Sequence, residues 1–147
     1  VDFRCRHNLQ YWRNQPYFGF GASAHGYVDG VRTVNTPNLF NYLERIKSEG
    51  PYEIKYPASL ATVSMDAVDR ETRMKDFMML GLRLVREGVS EKRFQSLYGE
   101  SMQRVFKYEI STLIMQKLVE WVDGDQKRLR LTPRGIMVAN QVFMQFV

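Results

Sequence analysis

Two short runs near the carboxyl end decide what the second half of this chain can become. Val119-Glu120-Trp121-Val122 and Arg128-Leu129-Arg130-Leu131 both alternate apolar with polar residues, and Asp123-Gly124-Asp125 between them supplies turn chemistry. Side chains one residue apart on a strand face opposite ways, so the pattern predicts a hairpin with one inward face. Thr132-Pro133 follows directly. A capping hydroxyl ahead of a proline at the first helical position is a helix start, because proline lacks only an N–H that has no partner there. A last helix is therefore expected, with Ile136, Ala139, Val142, Phe143 and Phe146 inward.

Upstream of the hairpin the apolar spacing is helical. From about Asp66, residues Met74, Phe77, Met78, Leu84 and Val85 recur at three and four, and Gly88 stops the run. The methionines read as core filler. Gly81 inside this helix costs about 1 kcal/mol of propensity, which predicts close approach of another element there. Asp66, Asp69, Glu71 and Asp76 cluster at the helix start, where the helix dipole favours them without any catalytic role. Ser90 then caps a short helix carrying Phe94 and Leu97, closed by Gly99. A third helix, about 101–118, places Phe106, Ile110, Leu113, Ile114 and Met115 or Lys117 around one broad face. Helix, short helix, helix, hairpin, helix is the element order of a winged-helix domain, expected over 66–147.

The amino-terminal part reads differently. Residues 1–35 suggest strands and tight loops. Phe3, Cys5 and His7 alternate with Arg4 and Arg6, so an extended chain puts Cys5 and His7 on one face. Asn14-Gln15-Pro16 is a turn. Tyr17–Ala22 predicts a buried strand that breaks at its glycines, with Ser23 and His25 at its carboxyl end, where parallel α/β sheets and barrels hold ligands. Val28-Asp29-Gly30-Val31 is a tight hairpin turn. Thr36-Pro37 starts a helix with the stripe Leu39, Phe40, Leu43 and Ile46, ended by Gly50-Pro51. Residues 51–65 read as an extended linker, placing a domain boundary there. The expected class is α+β.

Composition narrows the chemistry. The 147 residues are 44% hydrophobic and 25% charged, enough for one domain or two small ones. No apolar run reaches the length of a membrane span. A single cysteine, Cys5, excludes an internal disulfide framework and any zinc or iron–sulfur site needing several cysteines from this chain; it fits a reducing compartment. The net charge of +5 suits an anionic partner without specifying nucleic acid.

Both histidines, one of the two tryptophans and the pair Gly19 and Gly21 fall within residues 7–25. That mixture serves a haem or another flat cofactor: imidazole for a metal, aromatic faces for stacking, glycines where backbone approaches a ligand. On residue types alone it better suits a buried strand-turn-strand whose histidines bond to backbone. A closed zinc site wants four ligands, and Cys5, His7 and His25 offer three; a haem needs one or two, which His7 can supply. Gly19-x-Gly21 lacks the third glycine and the helix of the dinucleotide fingerprint. No Ser-His-Asp or Cys-His arrangement stands out. A DNA reading rests on Lys127, Arg128, Arg130 and Arg134 near the hairpin and on Arg93, Arg104 and Lys107. The helix that would read bases mixes Met102 and Phe106 with those charges, and Glu100 just precedes it, so nucleic acid is not an expected partner.

His7-Asn8-Leu9-Gln10-Tyr11-Trp12 resembles the HNxxYW signature of HemW-type haem chaperones. These are relatives of the oxygen-independent coproporphyrinogen III oxidase HemN in the radical S-adenosylmethionine superfamily. Gly19-Phe20-Gly21-Ala22-Ser23-Ala24-His25 resembles the glycine motif closing that family's barrel strands. Met79–Leu84, Gly88-Val89 and Leu131–Gly135 are similar to its helical, winged-helix-like carboxyl-terminal domain. The resemblance covers essentially the whole chain. It implies that residues 1–50 are the last strands and helix of a radical SAM barrel. It also implies a protein that binds haem or porphyrin and delivers haem to proteins of the respiratory chain. The implied location is the cytoplasm, with peripheral membrane association and a homodimer both left open.

The same resemblance makes His7 the ligand of haem iron, with Asn8, Tyr11 and Trp12 shaping the site. It puts Gly19, Gly21, Ala22, Ser23 and His25 near the S-adenosylmethionine or porphyrin end. Coproporphyrinogen III oxidase activity is the alternative that it leaves open. The family's CxxxCxxC motif is absent. The 4Fe–4S cluster and radical chemistry are therefore expected only in the full-length protein, with no catalytic residue here. The initial valine, in what reads as a strand, suggests a piece of a longer chain.

Overall fold

The computed structural model describes residues 5–49, 53–124 and 126–147. It is mixed helix and sheet, and it divides into two compact units: the residues up to Asn14 together with Arg70–Val147, and Gln15–Asp69.

The first element is a helix, α1 (Arg6–Trp12), where alternation predicts a strand. Leu9 N donates to Cys5 O at 3.1 Å, which closes the first turn. Trp12 is half-buried, and the Arg83 guanidinium lies 5.3 Å from its ring centroid. This anchor to the carboxyl-terminal unit outweighs a period-two signal carried by a few residues. A helical step replaces the alternation that would have put Cys5 and His7 on one face. Phe3 and Arg4 lie outside the described residues.

The unit Gln15–Asp69 is built on an antiparallel sheet. Its strands are β1 (His25–Val28), β2 (Val31–Asn35) and β3 (Thr62–Ala67), in the order β1-β2-β3. The predicted turn is present: Asp29 (φ 52°) and Gly30 (φ 78°) both take positive φ, as a two-residue hairpin requires. That turn forces antiparallel pairing, so these strands do not run parallel as barrel strands do. The segment Tyr17–Ala22 is not a buried strand. It makes one bridge, Tyr17 to Tyr27, and leaves Phe18 and Phe20 exposed. Positive φ at Gly21 (104°) and Ser23 (61°) turns the backbone out of extension. His25 opens β1 instead of ending a preceding strand.

A helix, α2 (Leu39–Lys47), joins β2 to β3. Its cap is Asn38, whose side chain accepts from Asn41 N at 3.0 Å. Thr36 is buried instead, with its N–H donating to Ala61 O, so the helix starts later than Thr36-Pro37 suggests. The stripe Leu39, Phe40, Leu43 and Ile46 forms as expected but is exposed. Gly50 and Pro51, read as its end, lie outside the described residues. The segment read as a linker runs into β3, which also takes Asp66 out of the expected helix start.

The rest of the carboxyl-terminal unit follows the predicted order with interruptions. Its elements are α3 (Arg70–Gly81), β4 (Val89–Ser90), α4 (Glu91–Tyr98), α5 (Met102–Val105), α6 (Lys107–Met115), β5 (Val119–Val122), β6 (Arg128–Leu131), α7 (Pro133–Met137), α8 (Ala139–Phe143) and a 3₁₀ turn, Met144–Phe146. The expected hairpin is present, pairing Val119 with Leu131 and Trp121 with Leu129, and β4 adds to its other edge. Ser90 caps α4 by accepting from Arg93 N, and Gly99 closes it at φ 72°. Thr132 caps α7 by accepting from Gly135 N. Gly81 does meet another element: a Cβ there would lie 2.8 Å from Val89 Cγ2.

The departures have one theme. The run from Met74 stops at Gly81 and does not reach Val85. The third helix breaks at Phe106 (φ −108°, ψ 39°), and the last breaks at Val138 (φ −123°, ψ 30°). The first break places buried Phe106 against Phe94 and Phe146, at centroid distances of 6.1 and 5.4 Å. Phe94 also meets Phe77 at 5.6 Å and Tyr98 at 4.8 Å. Burying such side chains contributes about 1.5–3 kcal/mol each, and edge-on aromatic pairs add to it, which outweighs an unbroken helix. Leu97, Ile114, Met115 and Ile136, expected inward, are exposed.

Candidate functional site

The residues of α1 project from a helix of two turns. His7 and Asn8 are exposed. Residues four apart on a helix are neighbours, and Tyr11 meets His7 accordingly. The Tyr11 hydroxyl is 3.1 Å from His7 Nε2, and the two rings stand edge to face, 4.9 Å apart at 89°. The imidazole is thus steered from the side while remaining at the surface. Trp12 turns the other way, toward the carboxyl-terminal unit, where Arg83 lies between it and Phe143, 4.5 Å from the Phe143 ring centroid.

Beside Trp12 the carboxyl-terminal unit holds a cavity of about 240 Å³. Its polar lining includes Arg13, Glu87, Ser90, Arg93 and Arg128. Arg13 Nη2 lies 3.0 Å from both carboxylate oxygens of Glu87. Arg93 donates to Arg13 O at 2.8 Å, and Arg128 donates to Glu87 O at 3.3 Å. Ser90 Oγ donates to Gln126 Oε1 at 3.0 Å. Three guanidiniums and one carboxylate thus line the cavity, with Arg13 on the carboxylate and the other two on main-chain oxygens. Burial, and secondly the charge of Arg13, push the pKa of Arg93 below its ordinary value.

The glycine segment belongs to the other unit and is accounted for by backbone packing. A Cβ at Gly19 would lie 2.3 Å from His25 O, so only glycine lets this segment approach the start of β1. At Gly21 there is open space, and the positive φ is what requires glycine. Buried Asn35 braces the loop, donating from Nδ2 to Gly19 O and Gly21 O at 3.1 Å each. Ser23 N donates to Thr36 O. Ser23 and His25 are exposed, and Ala22 is half-buried.

No group of three or more His, Cys, Asp or Glu among the described residues is placed to hold a metal ion. Cys5 and His7 lie at the start of α1, and His25 opens β1 in the other unit. Cys5 is an exposed free thiol. Five of the seven basic residues weighed for DNA have partners within the chain, Arg93 and Arg128 among them. Arg130 pairs with Glu120 at 2.8 Å, Lys127 bonds Gln103 and sits over Trp121, and Arg104 reaches Glu100 at 3.6 Å. No helix of the described residues is long and apolar enough to cross a membrane.

Residues 68–138 match the HemN C-terminal domain family. Across the chain, 36% of positions are identical to the haem chaperone HemW of Bacillus subtilis (strain 168), over 100% of this chain and 35% of that protein. The chain is HemW/HemN-like. The HemW of Lactococcus lactis subsp. lactis (strain IL1403) is 29% identical over 99% of this chain and 34% of that protein. The HemW/HemN-like chain thus spans roughly a third of the length of these curated relatives. In three dimensions it is similar to coproporphyrinogen III oxidase (HemN) from Escherichia coli, a radical SAM enzyme. The TM-score is 0.62 at 16% identity, over 90% of this chain and 28% of that one.

Sequence reasoning misses several residues of this HemW/HemN-like chain. Arg13 and Glu87 draw no reading, Arg93 and Arg128 are weighed only for DNA, and no motif joins positions so far apart. Asn35 carries no local signal either, because its two acceptors lie in a loop more than a dozen residues upstream.

Proposed function

We propose that this chain is the haem-holding carboxyl-terminal part of a haem chaperone, with His7 supplying a ligand to the haem iron. The observation that carries this reading is the exposed imidazole of His7 on α1, with its Nε2 beside the Tyr11 hydroxyl. An imidazole at the surface can reach a metal centre, and one hydrogen-bonded neighbour orients its ring. Asn8 and Tyr11 flank it, and Trp12 fixes the helix on its unit. Haem is cargo here, and the chain's own residues hold and orient it.

The names of the curated relatives support the same reading. The whole protein would supply S-adenosylmethionine binding and a 4Fe–4S cluster from parts outside these residues. Gly21, Ala22, Ser23 and His25, on the loop that Gly19 packs against β1, would lie toward that end. The exposed stripe Leu39, Phe40, Leu43 and Ile46 and the exposed Phe20 support a unit that adjoins a radical SAM barrel. Residues 70–147 would form a winged-helix-like domain, supported by the element order. Haem-accepting proteins of the respiratory chain are the proposed recipients, and the cytoplasm is the proposed location of the protein itself.

Haem titration followed at the Soret band tests this reading. His7→Ala is expected to weaken binding by about tenfold or more, the loss of at least 1.4 kcal/mol. Unchanged affinity overturns His7 as a ligand. The likeness in fold to coproporphyrinogen III oxidase favours a second reading, oxidative decarboxylation of coproporphyrinogen III by the full-length protein. Formation of protoporphyrinogen by the reconstituted full-length protein would establish it, and tight haem binding without product would exclude it.

A further inference from the structure

The ionised lining of the 240 Å³ cavity is unbalanced: Arg13, Arg93 and Arg128 against the single carboxylate of Glu87. The three cations come from separate parts of the carboxyl-terminal unit. Arg13 caps the end of α1, Arg93 lies in the first turn of α4, and Arg128 opens β6. Glu87 joins two of them, taking Arg13 on its carboxylate and Arg128 on its main-chain oxygen. Arg93 is tied to a neutral acceptor, Arg13 O, at 2.8 Å, and its guanidinium lies 5.6 Å from the Phe77 ring centroid. Burial, then the neighbouring charge of Arg13, work against its protonated form. The lining thus carries a surplus of positive charge partly withdrawn from water, a costly arrangement unless a counter-charge meets it.

A phosphate monoester supplies that counter-charge in one compact group. It carries close to two negative charges at neutral pH and three strong acceptor oxygens, whereas a carboxylate brings one charge. Guanidinium forks suit such oxygens, and each has five N–H donors, so the bonds already made leave others to offer. These cations are held in place beforehand and lose little freedom when a ligand arrives. Ser90, the N-cap of α4, also lines the cavity, which puts the positive end of that helix dipole beside it. Trp12, Phe77 and Leu84 make up an apolar part of the lining, suited to a small organic body on the phosphate.

We infer that this cavity binds a small phosphate monoester, with Arg93 and Arg128 holding the phosphate and Trp12 and Phe77 receiving the organic part. The site makes no use of His7, so it stands or falls apart from the haem reading. Its occupant would join the end of α1 to α4 through a single ligand.

Phenyl phosphate, inorganic phosphate and benzoate are the probes, titrated against the chain by calorimetry at constant ionic strength. Phenyl phosphate is expected to bind about tenfold or more tighter than benzoate, and severalfold tighter than inorganic phosphate because its ring is buried. Arg93→Gln and Arg128→Gln are each expected to weaken phenyl phosphate about tenfold. Hydrogen exchange in the native chain should slow across residues 87–93 when the ester is bound. Failure of phenyl phosphate to bind in the low millimolar range overturns the site, and so does benzoate binding equally well. Inorganic phosphate binding as tightly as the ester overturns the assignment to a monoester. Protection confined to other residues, or affinity undiminished in both variants, also overturns the site. The native titrations and the exchange map need no substitution, so they decide even if a variant folds poorly.

Discussion

Gly135→Ala is the sharpest structural perturbation available in the carboxyl-terminal unit. Gly135 lies in the first turn of α7, and its N–H donates to the Thr132 hydroxyl at 3.0 Å. A Cβ built there falls 1.9 Å from Leu118 O and 2.9 Å from its carbonyl carbon. The obstacle is main chain, so no rotamer change relieves it. Leu118 O also accepts from Thr132 N at 3.0 Å, which ties the residue before β5 to the helix start. Moving the carbonyl therefore breaks that bond, costing about 1 kcal/mol, and weakens the Thr132 cap by about as much again. Residual crowding adds about 1 kcal/mol or more. Alanine returns at most about 1 kcal/mol of helix propensity. The net is a destabilisation of about 2–3 kcal/mol, or a Tm lower by roughly 10–20 °C for a domain of this size.

Thermal and urea unfolding followed by far-ultraviolet circular dichroism reads the effect. Gly99→Ala is the internal comparison. It has the same positive φ problem as other closing glycines (72°) but nothing within 4 Å of an added Cβ, so it should cost only about 1–2 kcal/mol of backbone strain. A Gly135→Ala variant within about 0.5 kcal/mol of the native chain refutes the reasoning, since surface-like substitutions cost no more than that.

Ser90→Ala removes the acceptor for Arg93 N and the donor to Gln126, and should cost about 1 kcal/mol in urea unfolding. Asn35→Ala leaves the Gly19 and Gly21 carbonyls without their amide donor; a loss of about 2 kcal/mol is expected, read as faster hydrogen exchange across residues 19–24. Tyr11→Phe deletes an exposed contact and should change unfolding free energy by less than about 0.5 kcal/mol, so any change in haem affinity reports on His7 and not on folding. A double-mutant cycle between Arg130 and Glu120 should give under about 1 kcal/mol, because both side chains are well exposed.

Local chemistry was legible at most self-contained sites, though not at Thr36-Pro37, where Asn38 is the cap. The caps at Ser90 and Thr132, the Asp29-Gly30 turn and the hairpin of β5 and β6 all depend on residues a few positions apart, and all are present. The errors arose where distant partners decide. Trp12 finds Arg83 and the carboxyl-terminal unit, which makes 6–12 a helix despite its alternating start. Phe106 finds Phe94 and Phe146, which breaks a helix that periodicity would have left whole. The signature around His7 was legible as a motif, but its neighbouring cavity was not. Arg13, Arg93 and Arg128 are contributed by three elements, and a guanidinium that lines a cavity has the same letter as one in solvent.

The central claim is that the imidazole of His7 binds haem iron, and isotopic labelling addresses it directly. Histidine occurs only at positions 7 and 25, so ring-¹⁵N-histidine places the label in two imidazoles. Pulsed electron paramagnetic resonance of the ferric haem complex should detect ¹⁵N coupling in the native chain and in His25→Ala, and should lose it in His7→Ala. Coupling that survives His7→Ala, or that is missing from the native complex, contradicts the account.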